Sequence, residues 1–275
     1  PYVLLTLLAV ATPASSSRAA DVEEPALATV VEQVENNLAA VHSLQVSFRS
    51  WYVEHAGTSN YEASVFAAKG PSRFAALWHG EAGEEGLDPG ATRRFFDGQR
   101  FNVFQSYFGR YEVSQRFAVP PFTDKIRAHP FLENLGWWPP DDPSPPLRPN
   151  GRAYFLADLL ADPRLRIQKG IHLVGTTPCR VLELPGLDKL YVDPRRGTVL
   201  RHEVYAERLP GKLLVTFELT DFRRVQETAW LPYRLRRAHH PTHLEIVTEV
   251  DRWEINQVED DVFSFSPPPG TLIYD

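Results

Sequence analysis

The chain has 275 residues, of which 43% are hydrophobic and 23% are charged, and its formal net charge is −6 at pH 7. This length allows a sizeable core, and an all-β architecture of this size can form one domain. An acidic chain gains nothing from a phosphate backbone, so we expect no nucleic acid partner. The single cysteine, Cys179, excludes an internal disulfide framework, and we expect a small residue in a half-buried strand.

The first 20 residues carry the pattern of a secretory leader. The apolar segment from Tyr2 to Ala11 is too short to span a bilayer, and small and polar residues follow it. Ser17 and Ala19 suit a signal peptidase, so residues 1–20 are predicted to be a signal peptide that is truncated at its start. We therefore expect an exported, soluble chain in which residues 21–275 form one domain.

An amphipathic helix is predicted from Ala26 to Val41. Apolar residues recur there at three- and four-residue spacing, and polar residues fill the opposite face. The apolar set is Leu27, Val30, Val31, Val34, Leu38 and Val41, and the polar set is Glu32, Gln33, Glu35, Asn36 and Asn37. The period then drops to two, with Leu44, Val46 and Phe48 on one face of a β-strand. This order is typical of a curved sheet with a helix laid across its mouth.

Two runs of strand patterns flank a proline-rich insert. Turn signals separate the strand patterns up to residue 116, which predicts an antiparallel meander of hairpins. Prolines crowd residues 119–161 around two helical patterns, Thr123 to Leu135 and Ala153 to Leu160, and proline cannot serve a central sheet ladder. Strand patterns resume from Ile171 to Trp253. The predicted fold class is mainly β (α+β), with one strongly curved antiparallel sheet and helices outside it.

Five short motifs are spread in order over nearly the whole chain after the leader. They are Leu44-Gln-Val-Ser-Phe48, Lys69-Gly-Pro-Ser-Arg-Phe74, Phe96-Asp-Gly-Gln-Arg-Phe101, Leu190-Tyr-Val-Asp-Pro194 with Gly197, and Phe263-Ser-Phe-Ser-Pro-Pro-Pro-Gly-Thr271. This series resembles the LolA-type periplasmic lipoprotein carriers and the related lipoprotein-sorting proteins. The resemblance implies an incomplete half-barrel whose apolar concave face is covered by helices and holds acyl chains.

Period-two placement on the early strands selects the residues expected to line the apolar cavity. They are Leu44, Val46, Phe48, Val65, Phe74, Trp78, Phe101 and Val103. The helix is expected to act as a lid through Leu27, Val31, Val34 and Leu38, together with the proline-rich insert. An ordinary packed core would carry the same pattern, so both interpretations stay open at this point.

One position departs from the carrier pattern. The carriers have an arginine directly before the proline at the end of the second strand, where it helps to hold the lid closed, and this chain has Gly70 there. The resemblance therefore extends to the ligand class but not to lid locking and hand-off. In the insert, Trp137 and Trp138 predict either a pair packed over the sheet edge or a contact with a membrane or partner.

The patterns that would indicate catalysis are weak. His239, His240 and His243 fall within five residues, but Pro241 indicates a turn, so a solvated hairpin tip is preferred to a metal site. The chain has no Gly-x-Ser-x-Gly elbow and no glycine-rich phosphate loop, and its paired aspartates suit turns and caps. We expect no catalytic residue, no metal and no cofactor.

Three functional hypotheses follow. The leading one is a non-enzymatic periplasmic carrier of lipid or lipoprotein acyl chains, with inner-membrane donor and outer-membrane acceptor proteins as partners. The second keeps the fold and makes it an envelope-stress sensing module that binds lipid or envelope protein. The third, a metal-dependent envelope hydrolase built on the histidine cluster, requires bound metal. Lipid recovered from gently purified protein would favour the first over the second.

Overall fold

The structure is a computed structural model that describes residues 26–54, 57–69, 73–79, 92–96, 101–105, 110–114, 156–206, 209 and 211–274. For many residues between 52 and 114 it describes the backbone only. The predicted leader, Gly70, Trp137, Trp138 and the helical pattern at 123–135 lie outside the described residues.

The described chain begins with helix α1, Leu27–Ala39, as its three- and four-residue apolar spacing predicts. The strands that follow are β1 Ser43–Glu54, β2 Gly57–Lys69, β3 Arg73–His79, β4 Thr92–Phe96, β5 Phe101–Gln105 and β6 Arg110–Ser114. Helix α2, Leu156–Ala161, precedes β7 Arg166–Ile167, β8 His172–Val174, β9 Thr177–Leu184, β10 Asp188–Asp193, β11 Thr198–Tyr205, β12 Leu213–Val225, β13 Ala229–His239 and β14 Leu244–Ile255. A 3-10 helix, Asp260–Phe263, and β15, Leu272–Tyr274, come last.

These strands form one open sheet. The order of the strands is β15-β6-β5-β4-β3-β2-β1-β14-β13-β12-β11-β10-β9-β7, and β8 also pairs with β9. Neighbouring strands are antiparallel except for β15, which runs parallel to β6. The first and last strands of this order do not pair with each other, so the sheet is an incomplete barrel. The predicted mainly β class and the curved, unclosed sheet are confirmed.

Helices α1 and α2 pack on one face of the sheet, which we call the inner face. Val30 and Val34 of α1 are buried in a leucine-rich cluster with α2, β9 and β10. The closest approach is at Gly197, before β11, where φ is +62° and an added Cβ would lie 2.0 Å from the backbone oxygen of Gln33. Only glycine fits this turn, because a side chain would collide with α1.

The C-terminal segment packs on the opposite face, which we call the outer face, over β2 to β5. Phe263 is buried in a cluster with Ala67, and the ring of Phe265 lies 4.9 Å from that of Phe104, centroid to centroid. Lys69 fixes the start of this segment, since its Nζ donates to the backbone oxygen of Val258 at 3.0 Å. The aromatic C-terminal motif therefore covers the outer face of the first half of the sheet.

The outer face of the second half is polar. Arg201 pairs with Glu218 at 2.8 Å, and Arg236 pairs with Glu218 at 3.4 Å and with Glu245 at 2.6 Å. This ladder of charges crosses β11 to β14. The outer side of β11 to β14 therefore carries solvent-exposed ion pairs, while α1 and α2 cover the inner side of this half of the sheet.

Candidate ligand-binding face

The cross-strand register decides which predicted cavity residues share a face. Directly opposed residues on neighbouring strands project to the same side of a sheet. The rows of opposed residues are Leu44–Ala68–Phe74–Phe96–Phe101, Val46–Phe66–Ala76–Arg94–Val103 and Phe48–Ser64–Trp78–Thr92–Gln105. Leu44, Val46 and Phe48 are buried in the inner core cluster, so all three rows belong to the inner face.

The backbone therefore places Phe74, Trp78, Phe101 and Val103 on the same face as the three β1 residues, although their side chains are outside the description. The rows differ in character. The row that starts at Leu44 stays apolar across five strands, whereas Arg94 and Gln105 interrupt the other two. An apolar ligand would find its longest uninterrupted track along the first row.

Val65 does not belong to this set, and its prediction is wrong. It is opposite Ser47 of β1 and Leu77 of β3, which places it on the outer face. The error comes from the local sequence, because Val65, Phe66 and Ala67 are consecutive apolar residues. Alternation alone cannot assign such a run to one face, and the pairing of β1 with β2 makes the assignment.

The predicted lid residues lie over the other half of the sheet. Val34 is buried, and Leu27, Val31 and Leu38 are half-buried against the cluster formed with α2, β9 and β10. Leu38 also touches the cluster that contains Leu44. Among the described elements, the helices on the inner face therefore cover mainly β9 to β13. The inner face of β3 to β5 lies beside them.

Two polar residues of α1 contact the sheet instead of solvent, contrary to prediction. Asn37 donates from Nδ2 to the backbone oxygen of Trp230 at 3.2 Å and accepts from the Trp230 backbone N–H at 2.9 Å. Gln33, one turn earlier, meets Gly197 through its backbone. The guanidinium of Arg196 lies 4.5 Å from the Trp230 ring centroid. The amphipathic pattern could not reveal these contacts, because Asn and Gln read as solvent-facing.

A small cavity, about 20 Å³ in volume, lies beneath α1. Val34, Asn37, Thr198 and Trp230 are among the residues that line it. Thr198 is 3% exposed, and its Oγ1 has no hydrogen-bond partner among the described residues. A space of this size suits one water molecule, which could bond the Thr198 hydroxyl. An acyl chain could not enter here unless α1 moved.

A buried polar pair lies between β10 and β11. His202 Nε2 and Asp188 Oδ1 are 2.8 Å apart, and the two residues are 3% and 2% exposed. The His202 ring lies 5.6 Å from the Phe217 ring, centroid to centroid, inside the core. No sequence pattern indicates this pair, because each of the two residues is a single polar residue in an apolar strand. Its seclusion from solvent indicates a structural role.

The remaining candidates for chemistry are occupied or inert. His239 Nδ1 lies 2.7 Å from Thr242 Oγ1, and His240 Nε2 lies 2.8 Å from Thr216 Oγ1. Burial, with the charge of Arg237, lowers the pKa of His239. Within the described ranges, no three His, Cys, Asp or Glu residues gather closely enough to hold a metal ion.

Cys179 is 1% exposed in β9, and burial raises the pKa of its thiol to about 11. The thiol is therefore protonated at neutral pH and is a poor nucleophile. The expectation of a small strand residue is met, with deeper burial than predicted. No helix in the described part of the chain has the length and apolar character to cross a membrane.

The architecture to compare with known proteins is an open, mainly antiparallel sheet with two helices packed on its inner face. No family model and no curated protein matches the chain. The structure is similar to a domain from Vibrio parahaemolyticus named for a proposed role in outer membrane lipoprotein sorting, with 12% identity, a TM-score of 0.51, and coverage of 86% of this chain and 97% of that one.

Two further solved structures are similar. A LolA superfamily protein from Nitrosomonas europaea has 16% identity and a TM-score of 0.50, with coverage of 88% of this chain and 98% of that one. A DUF1329 family protein from Desulfovibrio piger has 10% identity and a TM-score of 0.54, with coverage of 86% and 95%. The chain has the LolA-like fold, and the resemblance drawn from its five motifs is confirmed at that level.

Proposed function

We propose that this chain is a non-enzymatic carrier that shields an acyl chain of a lipid or lipoprotein on the inner face of β3 to β5, beside the packed residues Leu44, Val46 and Phe48 of β1. The observation that carries the proposal is the row Leu44–Ala68–Phe74–Phe96–Phe101, which stays apolar across five strands. One of the similar structures is named for a proposed role in lipoprotein sorting, and this supports an acyl chain as the ligand.

The coverage of the two faces also supports the inner face as the ligand-binding surface. On β2 to β5 the outer face is already covered by the segment that contains Phe263 and Phe265. On the inner face, α1 and α2 lie over β9 to β13. A ligand that follows the apolar row would therefore bind beside α1, and a small movement of α1 would lengthen the track.

Burial supplies the affinity in this proposal. Each methylene moved from water contributes about 0.8 kcal/mol, so even a partly buried acyl chain gains several kcal/mol. This term does not depend on direction, so transfer between membranes needs partners of graded affinity. We propose an inner-membrane donor and an outer-membrane acceptor, with the carrier an exported periplasmic monomer whose residues 21–275 form one domain.

A binding assay with a fluorescent fatty acid tests the proposal, alongside native mass spectrometry for co-purified lipid. Phe74→Glu places a charge on the inner face of β3, and Leu77→Glu places the same charge on the outer face of that strand. We expect the parent chain and Leu77→Glu to bind and Phe74→Glu to lose at least about tenfold in affinity. Circular dichroism and thermal melts would establish that both variants are folded.

Two results would overturn the proposal. The first is a parent protein that carries no lipid and takes up no fatty acid. The second is an equal loss of binding in two folded variants, because a face-specific site cannot respond equally to charges on both faces. Lipid that is bound tightly and not released to acceptor vesicles would favour a sensing module over a carrier.

A further inference from the structure

An arginine of β13 lies on the inner face of the sheet. Arg237 is opposite Phe217 of β12 and Ile246 of β14. Phe217 is buried in the inner core cluster, and so is Leu235, two residues before Arg237 on the same strand. Because side chains alternate along a strand, Arg237 projects to the same side as Leu235. Arg236, between them, belongs to the ladder of charges on the outer face.

The guanidinium of Arg237 has no anionic partner. Arg237 is half-buried, and no described residue forms an ion pair with it. Its Cζ lies 5.8 Å from the centroid of the Phe217 ring, which supports the cation from an apolar surface. The next residue back along the strand behaves differently, since Arg236 pairs with both Glu218 and Glu245. A half-buried cation without a partner loses hydration that a bound anion can replace.

The surroundings of Arg237 leave its charge uncompensated. His239 is the next residue of β13 on the inner face, and its Nδ1 lies 2.7 Å from Thr242 Oγ1. Burial, with the charge of Arg237, lowers the pKa of His239, so this ring is mostly neutral at pH 7. Leu244, opposite His239, is 39% exposed. Arg237 therefore lies next to a neutral imidazole and an apolar residue that a ligand can reach from solvent.

This position is at the end of the inner face that is remote from the attachment of α1. Helix α1 meets the sheet at Gly197 and at the backbone of Trp230. Arg237 is near the other end of β13, roughly 23 Å from Trp230 along the strand at about 3.3 Å per residue. A ligand can therefore reach Arg237 without displacing α1 from β13.

Half-buried residues join Arg237 to the proposed acyl-binding face. Ile246, opposite Arg237, and Ser50 of β1 are both half-buried, so the packed core does not close this path completely. The row of Phe48 and Trp78 lies about 13 Å along the strands from the row of Arg237, and about 19 Å of strand spacings separate β13 from β3. Curvature of the sheet shortens this distance. A long acyl chain with its head at Arg237 can thus reach β3 with its tail.

We infer that Arg237 binds the anionic head group of the amphiphile that this chain carries. The inference rests on the proposed acyl-binding function and adds the chemistry of the head. A guanidinium offers paired N–H donors that match the oxygens of a carboxylate or a phosphate, so a fatty acid and a phospholipid share the recognised chemistry. The tail of the ligand lies towards β3 to β5, and its head stays at the solvent-accessible end of β13.

Displacement of a fluorescent fatty acid from the full chain tests this inference. Two pairs of competitors differ in head charge at equal chain length: a fatty acid with its fatty alcohol, and a lysophosphatidylglycerol with a monoacylglycerol. We expect the parent to prefer the charged member of at least one pair by about tenfold. The pair with the larger preference identifies a carboxylate or a phosphate as the head group.

Arg237→Gln should lose this preference and keep its affinity for the neutral competitors, which also establishes that the variant is folded. Arg237→Lys, which retains the charge, should keep part of the preference. The matched control is Arg234→Gln, because Arg234 is exposed on the outer face of the same strand, opposite Glu249. This control should compete as the parent does.

Three results would overturn the inference. The first is a parent that binds both members of each pair equally. The second is a preference that survives in Arg237→Gln, and the third is an equal loss of charged and neutral ligands in that variant, which would indicate a packing role. Failure of the proposed function is distinguishable, because a parent without acyl binding would bind neither the neutral nor the charged members.

Discussion

Asn37 and Trp230 are 193 residues apart in the chain and bond each other twice. The side-chain amide of Asn37 donates to the Trp230 backbone oxygen at 3.2 Å and accepts from the Trp230 backbone N–H at 2.9 Å. An amide is the one common side chain that offers a donor and an acceptor side by side. The contact therefore ties α1 to β13 in a fixed register.

Asn37→Ala should loosen this attachment of α1. Two hydrogen bonds are lost and two backbone groups lose a partner, which should lower the free energy of unfolding by about 2 kcal/mol. Urea denaturation measures the loss, and hydrogen exchange should show faster opening of α1. The exposed neighbour provides the control, because Asn36→Ala removes the same side chain and should change stability little. Equal losses in the two variants would count against the attachment.

Gly197→Ala should force α1 away from the sheet. The new Cβ would lie 2.0 Å from the backbone oxygen of Gln33, at a φ of +62°. Gly186→Ala has a similar φ of +72° with no atom within 4 Å, so it isolates the backbone cost of about 1–2 kcal/mol. We expect Gly197→Ala to cost about 1–3 kcal/mol more than this control in urea denaturation. Similar costs would mean that α1 does not press on the turn.

Asp188→Ala should be among the most costly single polar substitutions. It removes the carboxylate that lies 2.8 Å from the buried His202 ring and leaves the ring in an apolar core. The expected loss is about 2–3 kcal/mol, the cost of losing a hydrogen bond in the core. Glu245→Ala removes an exposed ion pair with Arg236 and should cost about 1 kcal/mol or less. Denaturation of both variants checks the ranking, which a larger cost for Glu245→Ala would reverse.

Cys179 should make stability depend on pH above about 9. Burial raises the pKa of its thiol from 9.0 to about 11, so the folded state holds the proton more tightly than the unfolded state. The contribution is full below pH 9.0 and is lost as pH rises towards about 11. Cys179→Ala should flatten the decline of unfolding free energy across this window. The native thiol should also resist thiol reagents until urea unfolds the chain, and rapid native labelling would contradict the burial.

Periodicity predicts the elements of this fold well where apolar and polar residues alternate clearly. The regular apolar stripe predicts a helix from Ala26 to Val41, and α1 spans Leu27–Ala39. The meander of β1 to β6 follows from hairpin signals between alternating segments. The parallel strand β15 could not be expected, since Leu272–Tyr274 is short and its partner β6 is remote in sequence.

The candidate site is less predictable, because register depends on pairing. Val65 lies in a run of consecutive apolar residues whose pattern does not indicate a face, and the β1–β2 register places it on the outer face. The pattern of α1 places Asn37 on the polar face of the helix and carries no information about Trp230, which accounts for the missed contact between the two residues. The burial of Asp188 could not be predicted from the sequence, because its partner His202 lies on the next strand and only the pairing of β10 with β11 brings the two together.

Photo-crosslinking with a diazirine fatty acid tests the central claim most directly. The probe is bound to the full chain, irradiated, and the labelled peptides are identified by mass spectrometry. We predict saturable labelling within residues 74–78 and 101–103, which lie in the rows of the inner face beyond the buried β1 residues, and competition by unlabelled fatty acid. Labelling concentrated on the outer-face residues Phe263 and Phe265, or labelling that does not saturate, would contradict an acyl-binding inner face.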